Sequence, residues 1–419
     1  MSGIGVLLGL LVLAYVGSIL VSGRTIRGFG LPSGAEYVLL GVVLGPQALG
    51  VIERSVAQSF EPVLIVGVSW MAFLIGLAYR HVGRRVARPG RLLFGVLGSA
   101  AVGVAVAFAT HFALGKLGLL HGAEQELASL GVGLVSAETT RHMIRWVAER
   151  HGAQGPLSDS LADIARGTAL VPIAAVAALS ASFPHEGMTL PFAARLGIDF
   201  GIGIVLGLVA TVLLGREFRQ TESWGILIGT SLLGMGLAVR LGLSPLGTSF
   251  ALGLTLSVAS RHQLDIRALV QPTEKPVMLP VLLIAGLYVD FGLLRQFWQL
   301  IVAAIAARLL AELVRGGLLN IFLPASRASG PLIGLSLIAT GPITMGAALA
   351  LNVQMPGAIT SAVLNMAVVG ALFGELIGPA TLRRALERAG ETNVQDEHPD
   401  SLHPLASNPP PPVTTEHKA

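Results

Sequence analysis

Apolar runs long enough to cross a bilayer follow one another along almost the whole chain. They fall at roughly 3–22, 31–52, 60–79, 92–118, 127–147, 158–182, 191–214, 224–240, 244–260, 276–293, 297–320, 331–350 and 358–380. In hydrocarbon every backbone N–H and C=O must be satisfied within the protein, so such runs fold as helices. The loops fix their direction. Arg80, Arg84, Arg85, Arg88 and Arg91 follow the third run, Arg216 and Arg219 the seventh, and Arg383, Arg384 and Arg388 the thirteenth. Loops after even-numbered runs hold few cations, such as Arg54 and Arg295. Cation-rich loops stay cytoplasmic. The expectation is thirteen spans in a bacterial inner (plasma) membrane, with the N-terminus outside and the C-terminus in the cytoplasm.

Only 12% of the residues are charged and 53% are hydrophobic, whereas soluble domains carry about 25% charged residues. The chain lacks cysteine, which excludes disulfides and thiol chemistry. Its net charge of +4 lies in short loops between spans and does not point to nucleic acid. Gly3 to Ser22 has no basic residue before it and is as long as a span, so no cleavable leader is expected. HExxH, GxSxG and phosphate-loop patterns are absent. The chain is therefore expected not to be an enzyme and to carry no metal or cofactor. After Gly390 it turns polar and Pro-rich. This gives an expected division into a membrane domain at 1–385 and a disordered cytoplasmic tail at 386–419.

Charges inside the spans are the candidate functional residues, because an ionised side chain in lipid costs from ~3 to over 10 kcal/mol. Span five carries Glu138 near its middle, beside Thr139 and Thr140, with Arg141 and His142 one turn on. Span six carries Asp163 and Arg166 at i,i+3, where they can pair, while Ser158, Asp159 and Ser160 suit a helix start. Span eleven carries Arg308, Glu312 and Arg315 on one face, with Arg315 nearer the cytoplasmic end. Span seven holds Asp199, within reach of Arg195 at i,i+4.

Spans two to six and nine to thirteen are offset by seven, so matching spans run in opposite directions and form an inverted repeat. Span twelve, which matches span five, contains Thr340, Gly341, Pro342 and Thr344. Proline removes a helical hydrogen bond, so a break is expected there and at the matching stretch around Glu138. The threonines can satisfy the freed backbone groups or coordinate an ion.

Leu31-Pro32 with Leu40-Gly41-Val42-Val43-Leu44-Gly45-Pro46, then Phe73-Leu74-Ile75-Gly76-Leu77, then Ala251-Leu252-Gly253-Leu254, resemble motifs of one family in order and spacing. The chain resembles the monovalent cation:proton antiporter superfamily, nearest its second branch, the sodium/proton exchanger domain. The resemblance implies an all-α membrane fold of about thirteen transmembrane helices, an inverted repeat, and two crossed broken helices in a moving core. It also implies a homodimer in the lipid bilayer that exchanges a monovalent cation for protons. Departures fall on the site. Where the family's fifth helix reads A-T-S-P, this chain has Ala137-Glu138-Thr139-Thr140. Thr168 and Ala169 occupy the positions of the family's transport aspartates, and Arg308 that of its lysine.

Two functions fit these residues. In the first, Glu138, or else Asp163 or Glu312, is a displaced ion- and proton-binding carboxylate in a transporter. Thr139, Thr140, Thr168, Thr340 and Thr344 then stand around it, and Arg166, Arg308 and Glu312 balance charge. Fixed arginines also suit a small organic anion as substrate. In the second, the same charges form a closed ion-pair network in a non-transporting sensor or assembly protein.

Overall fold

A computed structural model describes residues 34–79, 81–82, 85–183, 190–215 and 220–392. The first expected span, Leu31-Pro32, Arg80, Arg84, Arg216, Arg219 and the tail from 393 lie outside the described residues.

The described chain is helical apart from a short antiparallel hairpin, in which His81–Val82 pairs with Arg85–Val86. In order, the helices are α1 (Ala35–Leu44), α2 (Arg54–Ser59), α3 (Glu61–Ala78), α4 (Pro89–Leu117), α5 (Ala123–Ser136), α6 (Arg141–Arg150), α7 (Pro156–Thr168), α8 (Leu170–Ser182) and α9 (Phe192–Leu213). They continue with α10 (Gln220–Arg240), α11 (Pro245–Ala259), α12 (Gln263–Val270), α13 (Glu274–Leu287), α14 (Phe291–Gln296), α15 (Trp298–Phe322), α16 (Pro342–Gln354) and α17 (Ala358–Arg388). Two 3-10 turns, Pro324–Ser329 and Pro331–Leu337, lie between α15 and α16.

Each expected span after the first holds one of these helices or a pair of helical pieces, the second only over Ala35–Leu44. Six described helices, with α7 and α8 taken together, are long and apolar enough to cross a membrane. A seventh arises if Pro331–Leu337 and α16, bent by 56° at a short break, count as one span. The chain is an integral, multi-pass membrane protein. Leu93, Leu97, Val104, Phe108 and Phe112 form an exposed apolar face on α4 that suits lipid contact.

Packing divides the helices into two groups. In one, α11 lies against α3 and α9, and α13 lies against α1 and α3. A Cβ at Gly76 of α3 would run into the Phe250 carbonyl, and one at Gly253 of α11 into the Phe73 carbonyl. Here glycine lets two backbones touch, as small residues do between helices in lipid. In the other group, α4 packs on α5, α7 and α15, and the Pro331–Leu337 turn packs on α15 and α17. Contacts of α16 with α3 and α13, and of α8 with α9 and α11, join the groups.

The expected division at residue 386 falls inside helix, since α17 runs to Arg388. Beyond it Glu391 is buried and its carboxylate takes the N–H groups of Leu157 at 2.5 Å and Ser158 at 2.8 Å. These are orphan donors at the start of α7, where a carboxylate is also favoured by the helix dipole. Glu391 meets these donors, and Ser158, Asp159 and Ser160 stand at the start of α7, as expected.

Candidate functional site

Both expected breaks are present and they meet. The helix of span five stops at Ser136 and resumes at Arg141, leaving residues 137–140 outside helix and Thr140 extended. The helical run of span twelve stops at Leu337 and resumes at Pro342. The two stretches cross with Thr140 N–H donating to Ala339 O at 2.8 Å. Gly341 is required by this crossing, because a Cβ there would run into Thr140 Oγ1 and come within 3.1 Å of Glu138 Oε1.

A broken helix leaves carbonyls bare at one end and N–H groups at the other. The side chains at the crossing answer both. Glu138 Oε2 accepts from Thr344 N–H at 2.7 Å, Thr344 Oγ1 at 2.5 Å and Gly341 N–H at 3.3 Å. A carboxylate from one broken helix therefore caps the N-terminus of the other, where the dipole favours negative charge. On the opposite side Arg308 Nη2 donates to the Glu138 carbonyl at 2.8 Å. A cation there matches the carbonyl end of α5.

Threonines and one serine pin the rest. Thr139 Oγ1 donates to Leu337 O at 2.7 Å and accepts from Arg315 Nη2 at 2.8 Å. Thr168 Oγ1 accepts from Thr139 N–H at 3.1 Å, tying α7 to the break. Ser99 Oγ on α4 donates to Ala137 O at 2.6 Å. Thr140 Oγ1 accepts the His142 N–H at 3.3 Å and so caps α6. Thr340 Oγ1 is buried without a hydrogen-bond partner.

Arg308, Glu312 and Arg315 lie on the buried face of α15. Arg315 Nε stands 3.1 Å from Glu312 Oε2, in ion-pair contact but off the line of a hydrogen bond. Arg315 lies toward the C-terminal end of α15 and is buried. It is only 3% exposed and reaches the break, because α15 packs its Arg308–Arg315 face on α4 and the Pro331–Leu337 turn.

Span six differs more. Asp163 faces Arg91 at the start of α4, at 3.5 Å, and its charge also acts on Arg166 as expected. Arg166 points the other way and donates through Nη1 to Ala78 O at 2.5 Å, at the carbonyl end of α3. Asp199 accepts from Thr248 Oγ1 at 2.6 Å, while Arg195 donates to Ala181 O at 2.9 Å.

Glu138 lines a narrow cleft. Ile75 of α3 and Tyr79 just past its end form one wall; Arg141, His142, Ala165, Arg166, Ala169 and Ile343 complete it. At its mouth Arg141 Nη2 contacts Glu274 Oε1, and His142 Nε2 lies 3.5 Å from the same oxygen. Glu274 stands just before the tenth expected span. Burial opposes its ionisation, but Arg141, His142 and Arg145 outweigh that and hold its carboxyl down at about 2. Arg141 and His142 thus serve Glu274, not chiefly Glu138 as their sequence neighbourhood suggests. Glu274, Arg91 and Ser99 went unrecognised in the sequence as site neighbours; an acid at a helix start or a loop arginine carries no local signal of its partner. Among the described residues no three His, Asp or Glu side chains gather into a metal-holding group.

The whole fold is similar to that of the sodium proton antiporter MjNhaP1 from Methanocaldococcus jannaschii. Its structure at pH 8 superposes with a TM-score of 0.69 at 15% identity, over 91% of this chain and 100% of that one. The 3D EM map of that antiporter gives a TM-score of 0.62 at 16% identity, over 92% and 98%. No protein-family model matches the chain, and no curated protein does. The likeness is one of fold: this chain has an antiporter-like, all-helical membrane architecture.

Proposed function

We propose that the chain is a secondary-active transporter exchanging a monovalent cation for protons, with Glu138 as the displaced ion- and proton-binding carboxylate. The observation that carries this reading is the position of Glu138. It is the acid that lines the cleft, and it sits where the two breaks cross. A carboxylate can take either a proton or a metal cation, so the two exclude each other at one site. Hydroxyls of Thr140, Thr340 and Thr344 and freed carbonyls add the hard oxygen ligands that such a cation prefers. Thr139 and Thr168 hold the break in shape. Arginine keeps its proton in proteins, so Arg308 and Arg166 balance charge rather than relay it, with Glu312 as their acidic complement. The likeness of fold to a sodium proton antiporter supports the same reading. Thirteen spans, an inverted repeat, a homodimer and a plasma-membrane location with a cytoplasmic C-terminus belong to this proposal.

One observation favours the second reading, a non-transporting protein. Three donors already converge on Glu138 Oε2, which makes it a complete cap for α16. Flux measurements on purified protein in liposomes separate the two. Sodium, potassium or lithium pulses that change internal pH support the transporter. Pulses of small carboxylates that alone do so move the substrate to an organic anion held by Arg166 and Arg308. Silence from folded protein supports the structural role.

A further inference from the structure

We propose that Arg141 and Glu274, with His142 beside them, form an ionic gate over the Glu138 cleft, fastening the two helix groups together at that end. This inference rests on the transporter reading of the cleft. Arg141 and His142 belong to α6, in the group that carries the crossing. Glu274 opens α13, in the other group. Arg166 adds a second fastening close by, from α7 to the last carbonyl of α3. The cleft is walled by both groups, by Ile75 and Tyr79 on one side and by the α6, α7 and α16 residues on the other. Any relative motion of the groups that widens or closes it must stretch these contacts.

The opposite end of α13 is fastened differently. Asn365 of α17 donates through Nδ2 to Asp290 O at 2.9 Å and accepts the Asp290 N–H at 3.1 Å. Glu274 and Asp290 are separated by the length of α13, roughly 20 Å at 1.5 Å per residue. Between the two groups, α13 thus carries an ionic fastening at its start and an amide fastening past its end, where Asp290 also lies 3.8 Å from Arg54. The ionic one stands at the mouth of the cleft. Its side chains are partly shielded, at 24% exposure for Arg141 and 22% for Glu274. Arg145, Arg267 and Lys275 also act on these groups, so Glu274 is the acid that offsets a cationic rim.

The natural chain lacks cysteine, so a single Ala169→Cys reports access to the cleft. In purified full-length protein, a bulky charged maleimide labels this thiol slowly while the gate is closed. Glu274→Gln raises the labelling rate by about tenfold, equivalent to ~1.4 kcal/mol. The exchange Arg141→Glu with Glu274→Arg returns it toward the parent rate. Should the exchanged protein misfold, Arg141→Gln with Glu274→Gln serves instead. It labels no faster than either single variant if the two side chains act as one pair, and its rises add if they do not. Unchanged labelling in Glu274→Gln, or additive rises, overturns the gate. Labelling requires no transport, so its outcome is independent of whether flux is observed.

Discussion

The carboxylate of Glu138 and the backbone and hydroxyl of Thr344 meet through one oxygen, at 2.7 Å and 2.5 Å. This couples an ionisable group directly to the first turn of α16. Whatever binds or protonates Glu138 also changes what holds that helix end, so occupancy of the site and the shape of the crossing are linked.

Thr344→Val tests the hydroxyl arm. Valine keeps the shape and the N–H donor but loses the 2.5 Å bond. Hydrogen bonds to charged groups contribute ~1.5–3 kcal/mol, so thermal stability in detergent should fall by that order. Apparent cation affinity should change while the protein still folds. Wild-type stability in this variant would show that the hydroxyl contributes nothing.

Arg315→Ala leaves Glu312 buried at 0% exposure without its contact at 3.1 Å. Removing one partner of a buried pair typically costs ~3–5 kcal/mol. The double variant Arg315→Met with Glu312→Leu should recover only part of that loss, since the pair leaves together but the buried Arg308 loses its acidic complement. Recovery is read from thermal denaturation of the single and double variants.

Gly341→Ala tests the crossing itself. The added Cβ collides with Thr140 Oγ1 inside a fully buried contact. Overpacking of this kind costs ~1–3 kcal/mol. Pairing the change with Thr140→Ser, which removes a methyl but keeps the hydroxyl, should not relieve it; Thr140→Gly should. Stability measurements on the three variants decide between these.

Acid stability carries the signature of Glu274. Its carboxyl is held at about 2, below the ordinary value of 4.5. A depressed folded-state value stabilises the protein above the unfolded value and is lost as pH falls through the folded one. The contribution should therefore fade between about pH 4.5 and 2. Glu274→Gln should flatten the stability profile in that window and leave it parallel to the parent above it.

Much of this architecture was legible in the sequence. Apolar run length located the helices, because a bilayer imposes a fixed length on them. Gly341-Pro342 marked one break through lost backbone bonding, and the parity of spans placed the other near Glu138. The partners were less legible. Asp163 and Arg166 are neighbours on one helix, yet each also meets a group from another helix, Arg91 at the start of α4 and the Ala78 carbonyl that ends α3. Glu274 and Glu391 were unreadable for the same reason. Each acts on a helix more than a hundred residues away, and spacing along the chain says nothing about that.

The central claim is that Glu138 carries the coupled proton. The direct measurement is internal pH in liposomes holding wild type or Glu138→Gln, pulsed with sodium, potassium and lithium salts between pH 6 and 9. The account predicts cation-dependent proton flux in wild type and its loss in Glu138→Gln protein that remains folded. Equal flux in both proteins, or none in wild type, contradicts it.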